Sequence, residues 1–418
     1  MKHPNYSLAI LFLVGSFIEA APTVAGDWPQ ILGKGRDGVA AGERLLDRFP
    51  EAGPESIWEY EVGEGYAGPA IFDGKVIVFH RRGNDDLVEC LELASGKRVW
   101  RAELAAEYQA GINPDKGPRC VPLVAQDKVF VMSAGGRLAC LDFKSGKKQW
   151  ERQLFKEYRG DENYFGAGSS PLLVDGQLVV NVGGKRGAGI VAIAADTGET
   201  TWKATDHGTS YAAPIAIDWE GEKLAVVVTR LTTVGIRPTT GEVVFEYPFG
   251  QRGATVNAAM PLSTPEGLFL SSSYGVGARM LKLGTEEPEA IWSNDDSLSS
   301  QYFTSVYHDG FLYGVDGRED FRNTVLKCVD ARTGDVVWAK DGISGGHVIR
   351  VGEQILLIEI EGGLRVFEAN SSKYTESYSG EFLSAAGRAL PALSNGHLVS
   401  RTNATGGRGT LKCVRVGK

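Results

Sequence analysis

The chain has 418 residues, including 54 glycines and 17 prolines, and its formal net charge at pH 7 is −8. A hydrophobic share of 43% is enough for a packed core and excludes a mainly disordered chain. The acidic balance, with no long run of like charges, argues against a basic surface that binds nucleic acid.

The first 25 residues have the pattern of a secretory signal peptide. Lys2 and His3 precede an apolar run over residues 8–18, which is too short to span a bilayer. Thr23 to Ala25 form the best cleavage site, so domain 1–25 is predicted to be a signal peptide and 26–418 the mature protein. An uncleaved anchor is the alternative. We expect a periplasmic or secreted protein without a transmembrane segment after cleavage.

Four of the five cysteines share one sequence context. In each case an apolar residue and then a charged residue follow the cysteine. These cysteines are Cys90, Cys140, Cys328 and Cys413. Recurrence at one position of a repeat predicts buried packing positions that lie too far apart for disulfides. We expect free, buried thiols.

A repeat of about 46 residues runs through the whole chain. Its clearest copies are 91–100 (LELASGKRVW), 141–150 (LDFKSGKKQW) and 329–338 (VDARTGDVVW), and a weaker copy at 236–245 ends in Phe245. An apolar strand that starts near a proline or small residue, followed by a tight turn, precedes each copy and occurs eight times. Four strands per repeat of this length are typical of a β-propeller blade.

The two ends of the chain predict how the ring closes. The last repeat stops at its third strand, and the unpaired strand 57–62 near the N-terminus supplies the fourth. The predicted fold is therefore all-β, a single eight-bladed propeller of four-stranded antiparallel blades closed by the N-terminal strand. A seven-bladed ring is the alternative, because repeat seven has Tyr374 and Tyr378 near its expected tryptophan.

A tryptophan late in most repeats is predicted to dock one blade onto the next. A role as a ligand-stacking platform is the alternative. These predicted docking residues are Trp58, Trp100, Trp150, Trp202, Trp292 and Trp338.

The unit from Ala192 to Trp202 (AIAADTGETTW) resembles the tryptophan-docking motif of the PQQ repeat. Residues 27–30 (DWPQ), 36–38 (RDG) and 58–63 (WEYEVG) resemble the opening of secreted PQQ-like propeller proteins. The resemblance spans residues 27–418 and implies a PQQ-like propeller, a distant relative of quinoprotein alcohol dehydrogenases and of BamB-type propellers. This superfamily includes both enzymes and binding proteins.

The residues favour a binding protein over an enzyme. The resemblance to quinoprotein dehydrogenases implies two adjacent cysteines that stack on PQQ, a catalytic aspartate and calcium ligands on insertions. No two cysteines of this chain are adjacent, and its repeats leave little room for insertions. We therefore expect no catalytic residue, no metal ligand and no cofactor. A PQQ-dependent oxidoreductase with calcium is the alternative.

Binding residues are predicted at one mouth of the central channel, where a loop enters the first strand of each blade. Tyrosine and arginine are enriched at binding hot spots, and two arginines there suit an anionic group. Structural packing of these side chains is the alternative, and for His347 a hydrogen-bonded structural role. The expected partner is a protein or peptide of the cell envelope, or a small anionic ligand. The predicted binding residues are Tyr66, Arg119, Tyr211, Asn257, Tyr302, His347 and Arg388.

Overall fold

The structure, a computed structural model, describes residues 26–109, 111–284 and 287–418. Within these ranges 32 strands form eight four-stranded antiparallel sheets. The two helical segments are α1 (Leu154–Tyr158) and a 3-10 turn at Glu319–Phe321. No helix in these ranges is long and apolar enough to cross a membrane. The predicted signal peptide, residues 1–25, lies outside the described residues.

Each sheet is one blade of a propeller. The chain enters the ring with β1 (Glu55–Val62). Blade 1 comprises β2 (Ala70–Phe72), β3 (Lys75–Arg82), β4 (Asp85–Glu92) and β5 (Arg98–Ala105), and blade 2 comprises β6 (Leu123–Ala125), β7 (Lys128–Met132), β8 (Arg137–Asp142) and β9 (Lys148–Gln153). Blade 3 comprises β10 (Leu172–Val174), β11 (Gln177–Asn181), β12 (Ile190–Ala194) and β13 (Thr200–Ala204), and blade 4 comprises β14 (Ile215–Trp219), β15 (Glu222–Val228), β16 (Thr232–Ile236) and β17 (Val243–Pro248). Blade 5 comprises β18 (Leu262–Thr264), β19 (Gly267–Ser272), β20 (Gly277–Lys282) and β21 (Glu289–Asn294), and blade 6 comprises β22 (Val306–His308), β23 (Phe311–Asp316), β24 (Val325–Asp330) and β25 (Val336–Lys340). Blade 7 comprises β26 (Gly346–Val351), β27 (Gln354–Glu359), β28 (Gly363–Glu368) and β29 (Glu376–Glu381). Blade 8 comprises β30 (Ala392–Ser394), β31 (His397–Arg401) and β32 (Gly409–Arg415), and β1 is its fourth strand.

The first strand of each blade lies innermost. First strands of neighbouring blades contact one another, as β2 does with β6 and β30. The loops between blades and between second and third strands therefore open on one face, here called the loop face. The tight turns between first and second and between third and fourth strands form the opposite turn face. Asp73 and Gly74, both with positive φ, show the hairpin turn that the Asp-Gly pairs predict.

The blades are joined by aromatic docking. The indole Nε1–H of each of the six tryptophans donates to a carbonyl oxygen in the third-to-fourth-strand turn of the next blade, at 2.6–3.1 Å. In five cases the indole also lies against a glycine of that turn. A Cβ at Gly96 would stand 2.7 Å from a ring carbon of Trp58. The turn therefore requires glycine because the ring packs directly on its backbone.

Ring closure by the N-terminal strand is confirmed. β1 pairs with β32 in antiparallel register, with Trp58 opposite Cys413, and Trp58 Nε1 donates to the carbonyl oxygen of Leu93 in blade 1. The strand begins at Glu55, two residues before the predicted start. The ring has eight blades, so the seven-bladed alternative is wrong.

All five cysteines are free and buried, as predicted. Cys90, Cys140, Cys328 and Cys413 lie in third strands, and each pairs across the sheet with a docking tryptophan. Burial raises the pKa of each of these thiols to about 12. They therefore remain protonated packing groups in the folded protein.

A buried polar network reinforces the interface where blade 8 meets blade 1. His80 Nε2 lies 2.9 Å from Glu89 Oε2, and His80 Nδ1 accepts a hydrogen bond from the Gly63 N–H at 3.0 Å. Arg101 Nε donates to Glu89 Oε1 at 2.7 Å, as does the Tyr60 hydroxyl at 3.1 Å. Because Gly63 and Tyr60 belong to the N-terminal part of the chain, this network stabilises the closed ring.

Replacement of Trp58 tests the docking interaction. Trp58→Ala removes a buried aromatic side chain, and we expect a loss of about 3–5 kcal/mol in the free energy of unfolding, measured with urea. Trp58→Phe keeps an aromatic side chain but leaves the Leu93 carbonyl oxygen unpaired, which costs about 1–3 kcal/mol. A Trp58→Phe variant as stable as the native protein would contradict a contribution from the indole hydrogen bond, and equal losses in the two variants would contradict a contribution from aromatic packing.

Acid titration tests the buried network. Burial alone would raise the pKa of Glu89, but hydrogen bonds from His80 and Arg101 outweigh it and hold the pKa at about 2, below the ordinary value of 4.5. A carboxyl with a lowered folded pKa stabilises the fold above the unfolded value, and this contribution disappears as the pH falls through the folded pKa.

The expected result is a fall in the free energy of unfolding between pH 4.5 and 2 that is shallower in Glu89→Gln. The difference in slope should reach about 1.4 kcal/mol per pH unit. Glu59→Gln, at an exposed residue of β1, serves as control and should retain the full slope. Parallel curves for all three proteins would contradict this role of Glu89.

Candidate functional site

Six of the seven predicted binding residues lie on loops of the loop face that lead into first strands, and His347 is the second residue of the first strand β26. Five of the seven, Tyr66, Arg119, Tyr302, His347 and Arg388, form one connected group with Glu319, here called the mouth cluster. It joins loops of blades 1, 2, 6 and 8 and the first strand of blade 7.

Arg388 is held by a carboxylate. Its Nε and Nη2 donate to both oxygens of Glu319 at 2.9–3.0 Å, and the Tyr302 hydroxyl donates to the same carboxylate. This pairing outweighs burial and raises the pKa of Arg388, whereas burial first and Glu319 second raise that of Tyr302. The Arg388 side chain retains 37% exposure. The guanidinium is therefore neutralised within the protein although one side of it faces solvent.

Arg119 is turned inward. Its Nη2 donates to the Asp115 carbonyl at 2.6 Å, its Nη1 to the Gly117 carbonyl, and Nη1 lies 3.4 Å from Asp115 Oδ1. Side-chain exposure is only 9% for Arg119 and 8% for Asp115. Two guanidinium groups lie near the Tyr66 ring, that of Arg119 at 5.6 Å and that of Arg388 at 5.7 Å from its centroid. The Tyr66 hydroxyl donates to Asn113 Oδ1 at 3.1 Å.

His347 is a buried, neutral member of the cluster. Its Nε2 lies 3.0 Å from the carbonyl oxygen of Arg388, which assigns the ring proton to that nitrogen. Burial lowers the pKa of His347 to about 4. Its Nδ1 has no hydrogen-bond partner among the described residues.

Tyr211 and Asn257 make their bonds elsewhere. The Tyr211 hydroxyl accepts hydrogen bonds from the N–H groups of Tyr164 and Phe165 at 3.1 and 2.9 Å, and burial raises its pKa to about 12. Asn257 Nδ2 donates to the carbonyl oxygens of Thr229 and Phe249 at 3.0 and 3.2 Å. Both side chains thus hold neighbouring loops in place.

The segment of residues 26–54, here called the N-terminal segment, crosses the axis of the ring. Trp28 exchanges backbone hydrogen bonds with Ile71 of blade 1, and Val124 of blade 2 donates to the Pro29 carbonyl oxygen at 2.8 Å. Further along, Val39 bridges Arg350 of blade 7. Since these partners belong to innermost strands on different sides of the ring, the segment spans the central channel.

Arg36 is the most deeply placed charge of this segment, with 3% exposure. Its Nη1 and Nη2 donate to the carbonyl oxygens of Pro171 and Ser170 at 2.9 and 3.0 Å. At the far end of the segment, the Glu43 carboxylate accepts hydrogen bonds from the N–H groups of Asn395 and Gly396. The chain thus fills the interior of its own ring near the turn face.

Two apolar side chains project from the loops that the mouth cluster joins. Ile112 and Phe321 are 73% and 66% exposed, the highest values among the large hydrophobic residues described. Asn113, next to Ile112, is bonded to Tyr66, and Glu319, two residues before Phe321, is bonded to Arg388. The guanidinium of Arg318 lies 4.3 Å from the Phe321 ring.

The sequence did not indicate the partners of the two arginines, the exposed apolar side chains or the path of the N-terminal segment. Asp115 carried a local signal, because it is an acidic residue four positions before Arg119 in one loop. The motifs around Trp28 and Arg36 indicated the family but not the position of the segment. For Glu319, Ile112 and Phe321 the repeat offered no signal, since all three lie in loops outside its pattern.

Three features of the described residues bear on the expectation that the chain binds neither PQQ nor calcium. The five cysteines occupy separate strands or loops. No two of them therefore form the adjacent pair that the resemblance to quinoprotein dehydrogenases implies. In the described ranges no group of three or more His, Cys, Asp or Glu side chains is placed to hold a metal ion. Residues of the N-terminal segment also take up the axis.

Removal of Arg119 tests whether this arginine is structural. Arg119→Ala leaves the Asp115 carboxylate buried without its cation, and breaking a buried pair on one side costs about 3–5 kcal/mol. We expect a loss of that size in urea unfolding. Arg332→Ala, which removes a 68% exposed partner of Asp330, is the control and should cost less than about 1 kcal/mol. Equal stability of the two variants would contradict a structural role of Arg119.

Comparison with known proteins places the chain in a family. A family model described as outer membrane protein assembly factor BamB matches residues 84–340, more than half of the chain. No curated protein matches it in sequence.

Similar solved structures include BamB from Moraxella catarrhalis (14% identity, 85% of this chain and 96% of that chain covered, TM-score 0.59) and a quinohemoprotein alcohol dehydrogenase from Comamonas testosteroni (15%, 96% and 82%, 0.53). The computationally designed protein Ika8 is also similar (11%, 87% and 100%, 0.59). At these identities the likeness shows the fold alone. Because the repeat motif and the family model agree, the chain belongs to the PQQ-like propeller family described by outer membrane protein assembly factor BamB.

Proposed function

We propose that this protein is a non-catalytic binding protein of the cell envelope, and that its loop face contacts a protein partner. The observation that carries the proposal is the exposure of Ile112 and Phe321 on two loops held together by the mouth cluster. Contiguous exposed apolar side chains mark interaction sites, and we take Ile112 and Phe321, on loops joined by one cluster, as parts of one such patch.

The mouth cluster supplies that rigidity. Arg388 and Arg119 are bonded to Glu319 and Asp115, so the charges that suggested an anion site instead fasten the loops. A surface fixed before contact loses little conformational entropy when the partner binds. The charged groups thus act indirectly, by positioning the apolar contact residues.

An envelope location and a protein partner are parts of the same proposal. The signal-like pattern of residues 1–25 supports export, and the matching family description names an outer membrane assembly factor. The likeness to a quinohemoprotein dehydrogenase is one of fold alone, and no two of the five cysteines are adjacent.

A pair of matched variants tests the loop face. Ile112→Ser with Phe321→Ser should keep the unfolding midpoint, because both side chains are exposed, and should reduce capture of the partner at least tenfold. The measurement is quantitative mass spectrometry of proteins bound from an envelope extract. Val336→Ser with Val337→Ser removes exposed apolar side chains of the outer strand β25 and should leave capture unchanged.

Two outcomes would contradict the proposal. In one, both double variants capture the same proteins in the same amounts. In the other, the purified protein reduces a redox dye with an alcohol substrate after PQQ and calcium are added, and this activity would favour the oxidoreductase alternative.

A further inference from the structure

A cavity lies on the turn face, away from the mouth cluster. It has a volume of about 450 Å³ and opens between blades 6 and 7. His308, Asp309, Phe311 and Tyr313 of blade 6 form one wall. The other wall is formed by blade 7, with Glu353, Gln354, Glu368, Ala369, Asn370 and Ser371. The volume is within the range of about 300–1,000 Å³ of small-molecule sites.

The repeat shows what fills the same interface elsewhere in the ring. Between blades 1 and 2, Phe72 and Phe143 meet edge to face at 5.3 Å. His308 and Ala369 hold the corresponding positions at the cavity. Phe72 and His308 are each the last residue of a first strand. Phe143 and Ala369 each follow a third strand and donate their N–H to a carbonyl oxygen in the turn between the first and second strands of the same blade. At this interface an imidazole and a methyl group stand where blades 1 and 2 have two phenyl rings.

Between blades 2 and 3 the same interface holds an ammonium group. Lys128 begins β7 and extends to the next blade, where its Nζ lies 2.6 Å from Asp196 Oδ1, and its side chain is only 18% exposed. Phe311 begins β23 and holds the corresponding position of blade 6, so no lysine of the chain enters the cavity from that position.

The lining has the chemistry that an ammonium requires. Three carboxylates, Asp309, Glu353 and Glu368, border the cavity, while Phe311 and Tyr313 offer apolar wall. Of the basic groups, His308 Nε2 pairs with Glu353 Oε2 at 2.9 Å. Arg350 donates to the Gly352 carbonyl at 3.0 Å and lies 3.4 Å from His308 Nδ1.

We propose that the cavity between blades 6 and 7 binds an alkylammonium group, which takes the place that Lys128 takes between blades 2 and 3. The apolar stem lies along Phe311, and the cationic end meets Asp309 and Glu353. The source is either a free small amine or a lysine side chain of a peptide. This site is independent of the proposed partner surface, since the two lie on opposite faces.

Titration calorimetry of the purified protein at low ionic strength tests the proposal. The probes are 1,5-diaminopentane, spermidine and a Gly-Lys-Gly amide, and 1,5-pentanediol is the uncharged control. We expect saturable binding of one probe molecule per chain for at least one amine and none for the diol. Binding of the diamine or spermidine identifies a small amine, and binding of the peptide alone identifies a lysine side chain.

Variants locate the binding. Asp309→Asn with Glu353→Gln alters exposed turn residues and should weaken amine binding at least tenfold, as should the cavity-filling variant Ala369→Phe. Asp175→Asn is the matched control, because Asp175 holds the same hairpin position in blade 3 with a similar φ of 48° against 44° for Asp309. Its binding should be unchanged.

Two results would overturn the proposal. One is that neither amine nor peptide binds at millimolar concentration. The other is that binding persists unchanged in the Asp309→Asn, Glu353→Gln protein. This variant decides the question even if Ala369→Phe fails to fold.

Discussion

The structure depends on one repeated contact, the docking of an aromatic ring from the last strand of a blade onto a turn of the next. The ring lies on a glycine, and the indole N–H donates to a carbonyl oxygen of the same turn. Each blade can bury its flat, apolar faces only against its neighbours, so this contact sets where the neighbour sits. Ring closure is the same contact made by Trp58, between residues that are distant in sequence.

The irregular seventh repeat follows from that contact. In blade 8 the third and fourth strands come from opposite ends of the chain, so no turn connects them and the docking aromatic of blade 7 has no turn to meet. Tyr378 instead stacks on Phe49 of the N-terminal segment, with ring centroids 4.8 Å apart. The departure from tryptophan, which suggested a possible seven-bladed ring, is the adaptation of blade 7 to an eight-bladed one.

The repeat made the fold predictable because its signals are local. Strand, turn and docking positions recur in a fixed order in every repeat, so Trp58 and the truncated last repeat were enough to predict closure. The candidate site was predicted only in part. The repeat places Tyr66 and Arg388 at the mouth through the backbone, but their partners Asn113 and Glu319 lie in loops whose conformation depends on contacts between distant segments. The path of the N-terminal segment through the axis depends on the complete ring and has no periodic signal.

The position of β1 also constrains the order in which the protein folds. Residues 55–62 are synthesised first among the strands, but their partner, residues 409–415, is made last. Blades 1 to 7 pair strands that are close in sequence, whereas the pairing of β1 with β32 is a long-range contact with a high entropic cost of closure. Until this pairing forms, blade 8 is a three-stranded sheet with an open edge, the kind of edge on which partly folded chains aggregate. The final closure is therefore the step at which a factor that protects open strands would act on this chain.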